Sequence, residues 1–168
     1  MQEMYKVLIL CTGNSARSIM AEAVLNDLGR ARFKAFSAGS RPAGRVNPTA
    51  LRQLQRAGHE VDGLRSKSWE EFSASDAPQM NIVITVCDSA ANEACPLWHG
   101  APVIAHWGMP DPAAVTGTET DVETAFRDAY AVIQHRMKQL LRLPLEKLER
   151  PELEQRLAAI ATSMPDRA

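Results

Sequence analysis

The sequence predicts an α/β fold: a three-layer sandwich in which a four-stranded parallel sheet carries helices on both faces. Two observations support this prediction. Short apolar runs alternate along the chain with stretches of helical periodicity. The runs are also apolar along most of their length, as in strands that are buried on both faces of a parallel sheet. The chain has 168 residues, a length that suits one compact domain.

The predicted strands are short segments, each of which ends at a turn residue or a polar residue. They lie at residues 5–10, 34–38, 81–86 and 103–107. In a parallel sheet of this kind, ligands bind at the carboxyl ends of the strands. Residues that directly follow these strands are therefore the first candidates for a functional site.

The predicted helices follow from apolar periodicity and from their end signals. Asn47 is a typical N-cap and Pro48 suits the first position of a helix, whereas Gly29 and Gly58 end helices. Pro144 interrupts the longest helical pattern. Ser68 is expected to cap a single short turn that ends at Phe72. The four predicted helices span residues 17–28, 48–57, 121–141 and 152–160.

Composition and charge limit the class of protein. We expect a single domain over residues 1–168, with a core at about 5–143 and a C-terminal helical extension at 144–168. The net charge of −1 gives no electrostatic argument for binding nucleic acid or a membrane surface. No apolar run is long enough to span a bilayer, and the N-terminus lacks the pattern of a signal peptide. We therefore expect a cytoplasmic protein, and a monomer.

The segment Cys11-Thr12-Gly13-Asn14-Ser15-Ala16-Arg17-Ser18 joins the first predicted strand to the first predicted helix. The backbone N–H groups of such a loop and of a helix start converge and attract negative charge. Arg17 adds a planar fork that can bind two oxygens of an oxyanion. The same positive field favours a thiolate, so we expect Cys11 to ionise more easily than an ordinary cysteine. Ser18 is a candidate donor to its sulfur.

The chain has three cysteines, which in a reducing compartment do not indicate a structural disulfide framework. Cys11 and Cys87 each follow a predicted strand, so both are expected at the same edge of the sheet. The distance of Cys95 from that edge does not follow from the sequence. The cysteine spacing matches no structural zinc pattern and the four histidines are scattered, so we expect no bound metal and a structural role for His106.

Three segments of the chain carry a resemblance to a known family. They are Cys11 to Ser18, Val86-Cys87-Asp88 with Cys95-Pro96, and His106-Trp107-Gly108 with Asp111-Pro112. Together they resemble the arsenate reductases built on the low-molecular-weight protein tyrosine phosphatase fold, over a region from about Lys6 to about Leu143. The additional cysteines and the His-Trp-Gly segment favour a reductase over a phosphatase.

The resemblance implies a role for each matching residue. Cys11 would attack the arsenic of arsenate, and Asp111 would protonate the departing oxygen. Asn14 would brace the loop, and Ser18 would stabilise the thiolate. The oxyanion would be held by the loop itself, at Thr12, Gly13, Asn14, Ser15, Ala16, Arg17 and Ser18.

The resemblance further implies a disulfide cascade and no bound cofactor. Cys87 would attack Cys11, release arsenite and form a disulfide, which Cys95 would then attack. An external thiol reductant would restore the protein. The donor stays open between thioredoxin and glutathione with glutaredoxin, because Ala16 stands where thioredoxin-coupled members often carry a cysteine. The interval of seven residues between Cys87 and Cys95 is also one residue longer than in those members.

Two other functions remain open at the level of sequence. A low-molecular-weight protein tyrosine phosphatase would need only Cys11, Arg17 and Asp111, and weak phosphatase side activity is expected in any case. Such phosphatases usually carry tyrosine after the Asp-Pro pair, where this chain has Ala113. A non-enzymatic sensor of oxyanion or arsenite would signal through Cys87 and Cys95, although no DNA-binding pattern supports it.

The polar, basic segment at residues 64–69 has two interpretations. It either lines the mouth of the site or forms a solvated loop that Trp69 anchors.

Overall fold

The computed structural model describes residues 4–87, 98 and 100–165, and within them it confirms the predicted α/β class. The sheet has four strands in the order β2-β1-β3-β4, and every neighbouring pair is parallel. The strands are β1 (Tyr5–Cys11), β2 (Phe33–Gly39), β3 (Ile82–Thr85) and β4 (Val103–His106). Each predicted strand is present, with ends displaced by at most one residue.

Within the described ranges, four α-helices and three short 3₁₀ helices connect and follow the strands. The α-helices are α1 (Arg17–Leu28), α2 (Pro48–Arg56), α3 (Glu119–Leu141) and α4 (Arg150–Ala161). The 3₁₀ helices span Trp69–Phe72, Pro112–Ala114 and Leu145–Lys147. Among the described residues, no helix has both the length and the apolar character needed to cross a membrane.

The helix ends show why one predicted boundary held and another moved. Asn47 caps α2 as predicted, since its Oδ1 accepts from the Thr49 amide at 2.8 Å. Helix α3 begins two residues earlier than predicted because Thr118 and Asp121 form a reciprocal capping box. The prediction for α3 relied on apolar periodicity, which the polar first turn does not carry.

The two faces of the sheet are covered by different elements. Buried residues of α1, α2, α3 and α4 form one cluster with Val7 and Ile9 of β1. Leu8 and Leu10 point to the other face, which Phe72 and Trp98 cover. Among the described residues, the second face is thus packed by a 3₁₀ helix and isolated side chains.

The carboxyl edge of the sheet collects the segments of interest. Cys11 is the last residue of β1, and the chain after β3 continues the pairing, with the Val86 amide donating to Leu10 O at 2.9 Å. The chain after β4 does the same, because the Trp107 amide donates to Thr85 O at 2.7 Å. Parallel pairing therefore brings Cys11, Cys87 and the loop after His106 to one edge, as predicted for the two cysteines.

Helix α4 packs beside β4. The Arg150 guanidinium donates to Ala101 O at 2.7 Å and to Pro102 O at 3.1 Å, near the start of β4. At the other end of the strand, the Trp107 indole donates to Leu157 O at 2.9 Å.

Candidate active site

The loop between β1 and α1 presents its amides toward one point because its carbonyls are bound on the opposite side. Thr12 O accepts from the Arg41 amide at 3.0 Å, Gly13 O from the Ala43 amide at 2.9 Å, and Ser15 O from the Asn47 amide at 2.9 Å. In a planar trans peptide the N–H points away from the C=O. The amides that follow these carbonyls, those of Gly13, Asn14 and Ala16, are consequently directed away from the 41–47 segment, as an anion site requires.

Gly39 makes this arrangement possible. It pairs with Cys11 in the register of β1 and β2. A Cβ at residue 39 would lie 2.4 Å from Thr12 O and 2.9 Å from Cys11 O, both of which are backbone atoms. Any side chain larger than hydrogen would therefore displace the start of the loop.

Asn14 holds the middle of the loop in a left-handed conformation, with φ of 45°. Its buried side chain donates to Ser18 Oγ at 2.8 Å and to Ser37 Oγ at 3.0 Å, and accepts from the Lys67 amide at 2.9 Å. These three hydrogen bonds compensate for a backbone conformation that is uncommon outside glycine. Asn14 thus occupies the position from which it would brace the loop.

A buried ion pair lies beneath Asn14, and the sequence did not reveal it. Lys67 Nζ lies 3.5 Å from Glu22 Oε1, and the two side chains are 8% and 12% exposed. Ser37 Oγ donates to the same Glu22 oxygen at 2.6 Å. Burial lowers the pKa of Lys67, and the charge of Glu22 partly opposes that shift.

Two interpretations were given for the 64–69 segment, the mouth of the site or a solvated loop, and the structure places it against the anion-binding loop, where Ser66 Oγ donates to Gly13 O at 3.2 Å. Its lysine points inward because Nζ also donates to Arg65 O at 2.9 Å. One signal was available: Glu22 follows Ser18 by four residues on α1, so both face the same side.

Arg17 and Asp111 lie at the open side of the loop. Arg17 Nη1 donates to Met109 O at 2.9 Å, and Nη2 lies 3.6 Å from Asp111 Oδ2. Asp111 is 41% exposed, and its other carboxylate oxygen accepts from the Ala113 amide at 2.9 Å. The carboxyl group that the sequence singled out is therefore beside the arginine that would bind the oxyanion.

Cys87 is a second buried thiol at the base of the loop. It is hydrogen-bonded to Cys11, and its Sγ accepts from the Thr12 amide at 3.3 Å. Thr12 Oγ1 also lies 3.6 Å from the Cys87 sulfur. The structure thus brings together Cys11, Cys87, Arg17 and Asp111, whereas Cys95 lies outside the described residues.

The ionisation of Cys11 differs from the sequence expectation. The hydrogen bond with Cys87 and then burial raise the pKa of the Cys11 thiol, while Arg17 and the Gly13 amide lower it. The net direction is upward, so the expectation of easy ionisation is wrong for this thiol pair. The sequence argument considered the loop and Arg17 but not a second sulfur in contact, which makes removal of the Cys11 proton unfavourable.

Ser18 and His106 were singled out by the sequence. Ser18, the candidate donor to the Cys11 sulfur, accepts a hydrogen bond from Asn14, and the sulfur accepts one from the Gly13 amide. His106 Nδ1 lies 2.7 Å from Thr85 Oγ1, a contact between the last residues of β4 and β3. Within the described part of the chain, no group of three or more His, Cys, Asp or Glu residues is arranged to hold a metal ion.

The profile of the low molecular weight phosphotyrosine protein phosphatase family matches residues 6–154 of the chain. The chain belongs to this family. Within it, an arsenate reductase of Bacillus subtilis is 32% identical over 133 residues, which are 79% of this chain and 92% of the relative. A glutaredoxin arsenate reductase of Synechocystis is 30% identical over 138 residues, covering 82% and 97% of the two chains.

A solved arsenate reductase of the same family, described in its phosphate binding state, is also similar. It superimposes with a TM-score of 0.67 and 28% identity, and covers 82% of this chain and 97% of its own. The family fold therefore accounts for the sheet order and for the position of the loop.

Replacement of Cys87 by alanine is expected to lower the pKa of Cys11, because it removes the largest cause that raises it. The rate of Cys11 alkylation by iodoacetamide should then reach its half-maximum at a lower pH than in the protein with Cys87. Both proteins should carry Cys95→Ala, so that Cys95 does not contribute to the alkylation signal. A Cys11→Ser variant then shows which part of the signal comes from Cys11. An unchanged or higher midpoint would contradict the assigned cause.

Gly39→Ala is expected to destabilise the protein by about 1–3 kcal/mol, as overpacking against rigid backbone does. The clash moves Thr12 O, so the affinity for phosphate should fall as well. Thermal unfolding and phosphate titration measure the two effects. A variant with the melting temperature and phosphate affinity of the original protein would show that the loop tolerates a Cβ there.

Proposed function

We propose that this protein reduces arsenate to arsenite with electrons from Cys11 and Cys87. The observation that carries the proposal is the second buried thiol, which contacts the nucleophile at the base of an anion-binding loop. Hydrolysis of a phosphate ester needs a single thiol, whereas a two-electron reduction by thiols uses two, and Cys87 supplies the second one next to Cys11. The relatives named arsenate reductase in the same family support this choice.

In the first step, the Cys11 thiol gives its proton to an oxygen of the bound arsenate, and the resulting thiolate attacks the arsenic. A sulfur–arsenic bond forms, and an arsenic–oxygen bond breaks as Asp111 supplies the proton with which the oxygen leaves as water. Arg17, 3.6 Å from Asp111, and the loop amides hold the remaining oxygens. A positioned general acid contributes about 10²–10⁴-fold to such a step.

In the second step, the Cys87 thiolate attacks Cys11 Sγ. A disulfide forms between the two sulfurs, the sulfur–arsenic bond breaks, and its electron pair stays on arsenic, which leaves as arsenite. The two thiols lose two electrons and arsenic gains them. The Thr12 amide, 3.3 Å from Cys87 Sγ, stabilises the negative charge that this attack requires.

Recovery of the protein completes the proposed cycle. Cys95 attacks Cys87 and releases Cys11, and an external thiol reductant then reduces the new disulfide. The names of the relatives include a glutaredoxin arsenate reductase, so glutathione with glutaredoxin is a donor to test beside thioredoxin. We place this chemistry in the cytoplasm and in a monomeric single domain without a bound cofactor.

Phosphate monoester hydrolysis is the alternative function. The family description and the trio of Cys11, Arg17 and Asp111 favour it. Against a phosphotyrosine substrate, the residue after the Asp-Pro pair is the exposed Ala113, which offers no aromatic surface to the substrate ring. We expect this activity to be a weak side reaction.

Thiol variants separate the two functions. Cys11→Ser should abolish both arsenate reduction and hydrolysis of p-nitrophenyl phosphate, since both begin with the same sulfur. Cys87→Ala should reduce arsenate turnover to background and leave phosphate-ester hydrolysis, because only the reduction needs the second thiol. Arsenite formation is followed with thioredoxin and, separately, with glutathione and glutaredoxin.

Cys95→Ala tests the resolving step separately. It should form one arsenite per protein molecule and then stop, because the first disulfide is not resolved. Repeated turnover of arsenate by Cys87→Ala would refute the proposed route of the electrons.

A further inference from the structure

We propose that Arg136, together with the chain at the end of α4, positions the loop that carries Asp111. The proposal rests on the proposed function, in which Asp111 protonates the leaving oxygen. Arg136 is a positioning residue in this scheme, since it acts through the loop and does not touch the oxyanion.

The loop in question comprises residues 107–111, between β4 and the 3₁₀ helix at Pro112–Ala114. On the side that faces the candidate active site, the loop is held by two hydrogen bonds at Met109. Arg17 Nη1 donates to Met109 O at 2.9 Å, and the Met109 amide donates to Val86 O at 3.3 Å. These contacts join the loop to the anion-binding arginine and to the chain that leads to Cys87.

The back of the loop is held by Arg136 of α3. Its Nη1 donates to Trp107 O at 3.0 Å and to Gly108 O at 3.2 Å. Arg136 is 5% exposed. A single buried guanidinium thus fixes the first two residues of the loop, which directly precede Met109, and Asp111 follows the second of them by three positions.

The same guanidinium reaches the end of the chain. Arg136 Nε donates to Ser163 O at 3.4 Å, and the neighbouring His135 ring is hydrogen-bonded to Ser163 Oγ. The Trp107 indole donates to Leu157 O at 2.9 Å. Two residues of α3 and one residue of the loop therefore bind the C-terminal segment, and Leu157 and Ser163 lie beyond residue 154, where the family profile ends.

The charge of the buried Arg136 side chain explains why its hydrogen bonds should hold the 107–111 loop rigidly. Within the described residues, its guanidinium contacts backbone carbonyls and the Met164 sulfur and no carboxylate. Burial accordingly lowers its pKa. A buried charge needs these hydrogen bonds, because few water molecules can replace them. Displacement of the loop would leave the charge poorly solvated.

Replacement of Arg136 by methionine is the direct test, because it keeps an apolar stem and removes every donor. Displacement of a catalytic group by about 1 Å can lower a rate about 10²-fold, so kcat for arsenate should fall between about tenfold and that limit. The matched control is Arg150→Met. Arg150 also donates to two carbonyls next to β4, but at the end of the strand away from the site. The control should keep its kcat.

A double-mutant cycle with Asp111→Asn separates positioning from general destabilisation. If Arg136 acts through Asp111, Arg136→Met should lower kcat in the original protein and have little further effect in Asp111→Asn. A loss by the same factor in both backgrounds, or no loss in the original protein, would overturn the proposal.

Two milder variants keep the test decisive if Arg136→Met does not fold. Arg136→Lys keeps the charge but loses the fork, and Trp107→Phe removes only the indole donor to Leu157 O. Both variants should lower kcat by a larger factor than the factor by which they change KM. An unchanged kcat in both variants would also overturn the proposal. The proposed function is tested separately: it fails if the unmodified protein does not reduce arsenate. An unchanged kcat in Asp111→Asn would instead refute the role of Asp111 as proton donor, and with it the role of Arg136.

Discussion

The contact between the Cys11 and Cys87 thiols is the interaction on which the site depends, and the parallel pairing of β1 with β3 produces it. The Val86 amide continues the ladder past the end of β3 by donating to Leu10 O, which brings the next residue, Cys87, to the base of the loop. A one-residue shift in this register would turn the side chains of one strand to the opposite face. The apolar faces of β1 and β3 fix the register, so the hydrophobic core also sets the geometry of the two sulfurs.

This contact also organises the charge in the site. Cys87 and burial raise the pKa of Cys11, and Arg17 opposes them, so the thiol pair does not readily carry two negative charges. In the proposed mechanism it never needs to. Once Cys11 is bonded to arsenic it no longer competes for charge, and the Thr12 amide beside Cys87 Sγ can stabilise the second thiolate. The negative charge then passes from the first nucleophile to the second between the two steps.

The sequence predicted those features that local chemistry determines. The strand–loop–helix pattern around Cys11, the Asn47 cap and the placement of Cys87 after a buried strand all follow from neighbouring residues, and the structure contains them. The features that escaped prediction depend on contacts across the fold. Lys67 lies in a polar stretch that looks solvated, and only the position of Glu22 on α1 accounts for its burial. Arg136 looks like a surface residue of a long helix until α4 and the 107–111 loop cover it. The raised pKa of Cys11 likewise needs the second sulfur in place.

The central claim is that Cys11 and Cys87 together donate the two electrons that reduce arsenate. A single turnover tests it most directly: the Cys95→Ala protein is mixed with arsenate in the absence of any reductant, arsenite is quantified, and the peptides are analysed by mass spectrometry. The account predicts one arsenite per protein molecule, the loss of two thiols, and a disulfide that links the peptides of Cys11 and Cys87. Arsenite formed with both thiols intact, or no arsenite from a protein that binds the oxyanion, would contradict it.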